Sequence, residues 1–360
     1  MAFDFCVLGA GLAGLSLTDK LSETGASVVV VDPNGVAGGA SGTPLGLVNP
    51  ATGRFATKTW KAEECYQSIL ETLEKVQRHS QESFYKKTGV LRPALDTKIA
   101  TRMKANFDST SWPKDWCYWL DEKVLKALYP GINCLGGGVW LPIGLSVKLP
   151  EFLTAYSNLL KSRNVEFITN KEFDLSQCEN SWCLKFNDSN IEASTVITAA
   201  GIESNRISQW DFLTLHAVKG QIAILETQTP FPFNTSISAL GYFSEYDAKS
   251  FAAGSTYEHH FEHTHTDPEG LNYILKKLAL VMPSITETIV ETTQWAGIRA
   301  STPDRMPIVG QHPDFDNFYI FSGLGSKGLL FSSFLANSLA DLLLNSTPLP
   351  SEVDIKRFLK

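Results

Sequence analysis

The chain opens on an apolar run, Phe3 to Leu8, that breaks into Gly9-Ala10-Gly11-Leu12-Ala13-Gly14. A helix-like stretch follows, closed at Gly25, and a second apolar run from Val28 to Val31 ends in Asp32. Short continuous apolar runs bounded by glycines read as buried parallel strands, so the opening predicts strand, glycine turn, helix, strand. Residues 58–85 carry helical spacing and predict one or two amphipathic helices. Residues 86–143 show no sustained period and read as irregular, with Trp112, Trp116, Trp119 and Trp140 among them. Glu151 to Ser162 predicts a helix leading into a strand at Val165–Ile168. Hairpin-like runs follow at 182–187 and 191–193, then an apolar strand from Thr195 closed by Ala199-Ala200-Gly201. Gln221–Glu226, Ser236–Phe243 and Phe251–Tyr257 alternate apolar and polar residues and predict an antiparallel sheet, and Leu271–Val281 reads as helical. Asp316 to Phe321 reads as a strand, and Leu329 to Leu344 as an apolar helix. The polar, proline-bearing tail from Pro348 is expected on the surface.

The glycine spacing at the start has a physical purpose. Gly9 permits the tight turn, Gly11 lets a pyrophosphate approach the backbone, and Gly14 lets the helix pack close to the strand. Leu12 and Ala13 then begin a helix whose free N–H groups and positive dipole end suit phosphate. Asp32 ends the second strand, where a carboxylate can take a ribose hydroxyl. With the motif nine residues from Met1, no domain is expected to precede it. A second small-residue loop, Gly38 to Gly42 with Ala40 and Ser41, is followed by Gly46-Leu47. A nicotinamide enzyme has no need of that loop, whereas a flavin ring lies over a backbone that must come close. Near the C-terminus, Ser322-Gly323-Leu324-Gly325-Ser326-Lys327-Gly328 forms a further glycine turn ahead of a helix, suited to negative charge on a reduced flavin. FAD is therefore the expected cofactor, on a mixed α/β fold with a Rossmann-like FAD-binding domain and an interleaved antiparallel-sheet substrate domain. The FAD-binding domain is expected at 1–85, 144–212 and 300–360, and the substrate domain at 86–143 and 213–299. The antiparallel sheet is expected to wall the substrate site, with the nucleotide-binding half behind it.

Composition narrows the class. With 360 residues, 43% of them hydrophobic, the chain can bury a large core. A net charge of −7 speaks against a broadly basic nucleic-acid surface. The six cysteines, at positions 6, 65, 117, 134, 178 and 183, form no CxxC pair and read as reduced, mostly buried thiols of a cytoplasmic protein. No apolar run of about 18 residues is free of polar interruption, so no membrane span is expected.

Arg299 is the sharpest remaining candidate, in WAGIRASTPDRMPIVG. A guanidinium is the natural bidentate partner of a carboxylate, and a structural salt bridge is the equal alternative. Four of the seven histidines, His259, His260, His263 and His265, cluster in a polar stretch without metal-site framing, and no metal is expected there. No nucleophile pattern stands out. Oxidation by a flavin needs a positioned substrate carbon rather than a nucleophile.

Taken together, GAGLAG, GGASG…GL, TAAG, GIRASTPDRMPIVG and SGLGSKGLLFSS resemble the D-amino-acid oxidase superfamily of FAD enzymes, which includes glycine and sarcosine oxidases. AVKGQIAI, GYF and LGSKGLLFSSFLANSLADLLL resemble most the FAD-dependent module of the bacterial enzyme that builds a methylaminomethyl group on tRNA wobble uridine, which has Arg in place of Lys327. The resemblance implies that Arg299 pairs a substrate carboxylate, that Tyr242 helps to hold it, and that Lys327 stands at the reacting centre. It further implies that Ala200, Gly201 and the 323–328 turn touch the cofactor. Sarcosine oxidases tether flavin to a cysteine near the position of Gly297; no cysteine follows Cys183 here, so FAD is expected to be non-covalent. The implied reaction is oxidation of the C–N bond of an N-substituted glycine or small amino acid. The alternatives are tRNA carboxymethylaminomethyl-uridine as substrate, or a non-catalytic flavin-binding protein. The chain carries no methyltransferase half and is acidic, so a small molecule is the expected partner and tRNA the alternative.

Overall fold

Ala2–Leu8 is flanked on both sides by parallel strands, as an almost continuously apolar run requires. The computed structural model describes residues 1–359. The first sheet runs in the order Glu166–Thr169, Val28–Asp32, Ala2–Leu8, Asn190–Thr198, Trp182–Lys185, Asp174–Gln177. Phe318–Ser322 also lies parallel to Asn190–Thr198, and Ile308–Gln311 pairs antiparallel with it. The runs at 191–193 and 195–198, expected as separate elements, form the single strand Asn190–Thr198.

Helix α1 (Leu12–Ser22) leaves the glycine turn and packs on this sheet. Gly14 is held to glycine by contact, because a Cβ there would strike the carbonyl oxygen of Gly9. Helix α2 (Ala62–Ser80) lies in the region predicted to be helical. Helices α3 (Thr97–Ser109) and α4 (Glu122–Leu128) fall within 86–143, expected to be irregular, together with Val90–Pro93, Tyr118–Leu120 and Gly138–Leu141. The period of α3 is hard to read because it buries only Ala100 and Met103, while Ile99 and Phe107 pack beside Met103 and are only partly buried. Asp96 caps it by accepting from the Ile99 N–H. Helix α5 (Leu149–Lys161) joins α1 and α2 over one face of the first sheet.

The second sheet runs Ile289–Ser301, His216–Thr227, Ser250–Gly254, Tyr242–Asp247, Ser236–Ser238, Val90–Pro93, Gly138–Leu141, Tyr118–Leu120. The 236–243 run is broken by a turn at Leu240 (φ 56°) and Gly241, so its two ends become antiparallel partners. Helix α6 (Pro268–Val281) covers the back of this sheet, where Ala223, Phe243, Phe251 and Ile274 pack together. Helix α7 (Gly328–Asn345) packs against α1 and α2. The stretch Gly325–Asn345 is long and apolar enough to cross a membrane by length and composition, but half of it is already buried against the protein.

Two further expectations are corrected. Cys178 and Cys183 form a disulfide across the hairpin of Asp174–Gln177 and Trp182–Lys185, with Cα atoms 6.2 Å apart, a span a disulfide readily bridges. The other four cysteines are free thiols. The tail is not simply superficial: Val353 and Ile355 are buried, and Asp354 bridges to Val309 beside the first sheet.

Asp19 of α1 is fully buried, yet it binds two other parts of the chain. It accepts from the Tyr156 hydroxyl at 2.9 Å and from Arg163 Nη1 at 2.9 Å, and pairs with Lys75 of α2. Asp19→Ala would leave the Tyr156 hydroxyl without an acceptor, while the two cations, only part-buried, can reach water. The expected loss is about 1–3 kcal/mol, read as a lower urea midpoint at unchanged slope.

Candidate active site

The cofactor side is built from strand ends and glycine turns. Gly9 sits at φ 117°, where a Cβ would strike Ala199 O. Asp32 closes this turn: Oδ2 accepts from the Ala10 N–H at 2.7 Å and Oδ1 from the Asn34 N–H at 2.8 Å. Burial pushes its carboxyl above the usual carboxylate value despite these two bonds. The Leu12 N–H donates to Ser41 Oγ at 3.1 Å, which ties the first loop to the short turn Ala40–Gly42. Ser41 Oγ takes the first N–H of α1, but among the described residues the N–H groups of Ala13 and Gly14 have no partner and keep their capacity for an anion. Gly46 and Leu47 lie in the short strand Gly46–Val48. Ala200 and Gly201 follow Asn190–Thr198, and Gly201 O accepts from Ser322 Oγ, which joins them to the Gly323–Gly328 turn. A Cβ on Gly39, Gly201 or Gly325 would meet nothing within 4 Å. Open space thus borders all three loops, beside the start of α1 and the turn into α7, and the donor set fits a dinucleotide that carries a flavin.

The second sheet forms the facing wall. Side-chain alternation puts Val218, Gly220 and Ile222 on its front, opposite Arg299, Gly297 and Trp295 of the neighbouring strand. Tyr242 and Gly254 continue that face. Arg299 lies across Gly220, where a Cβ would collide with its guanidinium. Its Nη2 donates to Ser255 Oγ at 2.8 Å, its Nη1 to Thr256 O at 3.3 Å, and the Tyr257 ring covers it at 4.7 Å. No carboxylate of the described residues pairs with it. The fork is therefore held by neutral groups and keeps donors for an incoming carboxylate.

Three contacts join this wall to the cofactor loops. The Trp295 indole nitrogen lies 3.9 Å from where a Gly42 Cβ would stand. The Tyr242 hydroxyl donates to Leu45 O at 2.7 Å, so its proton is engaged with the loop rather than offered to a ligand. Burial raises this phenol above its ordinary value, and the nearby Arg299 charge opposes the rise. Arg92, buried and without an acidic partner, donates to Ala51 O, Gly53 O and Ser238 Oγ; burial lowers its guanidinium to about 10. Lys327 directly precedes α7 with its ammonium 5.0 Å from the Phe331 ring. Burial, then the Arg305 charge, lowers its pKa.

Gly220, Ser255, Thr256, Tyr257 and Arg92 are absent from the sequence-predicted set. Placing AVKGQIAI and WAGIRA as paired strands would have set Gly220 opposite Gly297, the glycine pair over which Arg299 and Trp295 lie. The other four have no local signal. The histidines lie apart from this site on the loop before α6, where His263 and His265 stack at 3.7 Å.

A family model described as DAO, FAD dependent oxidoreductase, matches residues 4–342. The chain belongs to that family. It is an FAD-dependent oxidoreductase. Among curated relatives, the tRNA 5-methylaminomethyl-2-thiouridine biosynthesis bifunctional protein MnmC of Thiobacillus denitrificans is 25% identical over 98% of this chain; the chain spans 58% of that protein's length. The fold resembles glycine oxidase from Geobacillus kaustophilus, with TM-score 0.85, 20% identity, and 99% and 98% of the two chains covered. Iminodiacetate oxidase from Chelativorans sp. BNC1 superposes with TM-score 0.79 at 21% identity, covering 98% of each chain.

In Gly220→Ala, the added methyl would displace the Arg299 guanidinium without touching the glycine turns. The variant is expected to retain FAD but to bind methoxyacetate about ten- to a hundredfold more weakly, as loss of charge-assisted bonds implies. Titration of the flavin absorbance checks this.

Proposed function

We propose that the chain oxidises the C–N bond of an N-substituted glycine or small amino acid. The observation that carries this reading is the Arg299 guanidinium, half-buried and held only by neutral groups on the wall facing the cofactor loops. A substrate carboxylate would complete its fork bidentately and fix the α-carbon and amine between this wall and the cofactor loops. Tyr242, anchored on Leu45, keeps that wall at a set distance from the cofactor loop. Lys327 and the start of α7 place positive potential where negative charge gathers on reduction. FAD, when bound, supplies the acceptor for the hydride that leaves the substrate carbon. Support also comes from fold neighbours whose names are glycine oxidase and iminodiacetate oxidase.

Purified protein should be yellow, release its flavin on acid treatment, and be bleached anaerobically by a member of a panel of N-substituted glycines. Arg299→Lys should keep FAD and reduction by dithionite, yet lose about ten- to a hundredfold in kcat/KM, because one compact ammonium replaces a two-pronged fork. Unchanged kinetics in that variant, or no bleaching by any carboxylate amine, would overturn the reading.

A second reading takes the carboxymethylaminomethyl group of tRNA uridine as substrate. It is favoured by the MnmC relatives, and that group is itself an N-substituted glycine that the same Arg299 would clamp. Modified-nucleoside analysis of tRNA from a deletion strain decides it, since accumulation of the carboxymethylaminomethyl form is expected and an unchanged profile excludes it.

A further inference from the structure

Arg299 is gripped by one short segment, Ser255-Thr256-Tyr257, through a hydroxyl, a carbonyl and an aromatic face. What holds that segment lies behind the sheet. The Thr256 hydroxyl accepts from the Gln221 N–H at 2.9 Å and donates to Glu258 Oε1. Glu258 also accepts from Gln221 Nε2 at 3.0 Å, and its backbone pairs with Lys219 in both directions at 3.0 Å. Lys219, only 1% exposed, donates to Asp267 at 2.7 Å and stands 3.4 Å from Glu258. Asp267 in turn accepts from Gln221 Nε2 and caps α6 through the Gly270 N–H. Burial works against both charges here, and the mutual bonds outweigh it: Lys219 is raised and Asp267 is lowered.

The charges in this cluster do not cancel. Two carboxylates, Glu258 and Asp267, face one ammonium, Lys219, which leaves one negative charge in excess. Glu258 stands two residues beyond Thr256 and meets Lys219 and Gln221, whose side chains lie on the face of the sheet away from the guanidinium. The excess offsets the charge of Arg299 at a distance without occupying its fork.

We propose that Thr256 and Glu258 are positioning residues for the carboxylate site: they hold the Ser255–Tyr257 segment so that the Arg299 fork stays open and aimed. The inference rests on Arg299 being that site. The test uses FAD-loaded protein, methoxyacetate as probe, and flavin absorbance as readout, with FAD content and melting temperature recorded alongside. Thr256→Val, which keeps the shape but removes the hydroxyl, should raise the Kd about three- to tenfold, the scale of one neutral hydrogen bond. Thr256→Ser should restore wild-type binding, and Glu258→Gln should weaken it in the same range. In an Arg299→Lys background Thr256→Val should have little further effect, because its action runs through the fork. An unchanged Kd in Thr256→Val and Glu258→Gln, or an equal loss in the Arg299→Lys background, overturns the inference and leaves the reading of Arg299 standing. An Arg299→Lys protein that binds methoxyacetate as tightly as the wild type overturns both.

Discussion

A guanidinium set into a protein wall with only neutral groups for partners is a demanding arrangement, and much of this molecule serves to maintain it. Arg299 cannot lose its proton, so its charge must be tolerated as it stands. A nearby carboxylate would stabilise it at once but would also fill the fork. Instead Ser255 Oγ, Thr256 O and the Tyr257 ring orient it, and the excess negative charge of the Lys219 cluster lies farther back. Glycine at position 220 follows from the same need, since any side chain there would take the space the guanidinium occupies.

The two sheets have complementary tasks. The parallel sheet ends its strands in glycine turns and leaves the Ala13 and Gly14 N–H groups at the start of α1 without partners among the described residues, so it offers unfilled donors to a dinucleotide. The antiparallel sheet offers a stiff, registered surface on which Arg299, Tyr242 and Trp295 face one way and the apolar packing against α6 faces the other. Tyr242 on Leu45, and Arg92 on Ala51 and Gly53, keep the wall at a set position relative to the cofactor loops. The buried Arg92 is tolerable because carbonyl dipoles and a hydroxyl receive its Nη donors.

Much of the cofactor side was legible in the sequence, because glycine spacing and apolar strands are local signals. The turn after Ala2–Leu8, the strand ending in Asp32 and the glycine entry to α7 all lie where their residues indicate. The facing wall was legible as an antiparallel sheet from its alternating runs, and in Arg299 and Tyr242 as its candidate side chains. Ser255 and Thr256 carry no pattern of their own, and they meet Arg299 only after three strands have paired. Helix α3 escaped notice because it buries one narrow stripe, and the Cys178–Cys183 bridge because a hairpin, not a motif, brings the two together. The backbone bonds of Asp32 to Ala10 and Asn34, and of Tyr242 to Leu45, carry no sequence signal, because their partners are main-chain groups brought close only by the fold.

The most direct test of the Arg299 assignment is a crystal structure of the FAD-loaded protein soaked with methoxyacetate. The expected result is a carboxylate paired with the free edge of the Arg299 guanidinium, with Ser255 and Thr256 still holding their present bonds and the methoxy end directed toward the flavin. A carboxylate bound elsewhere, with the Arg299 fork left empty or turned onto a protein carboxylate, would contradict it.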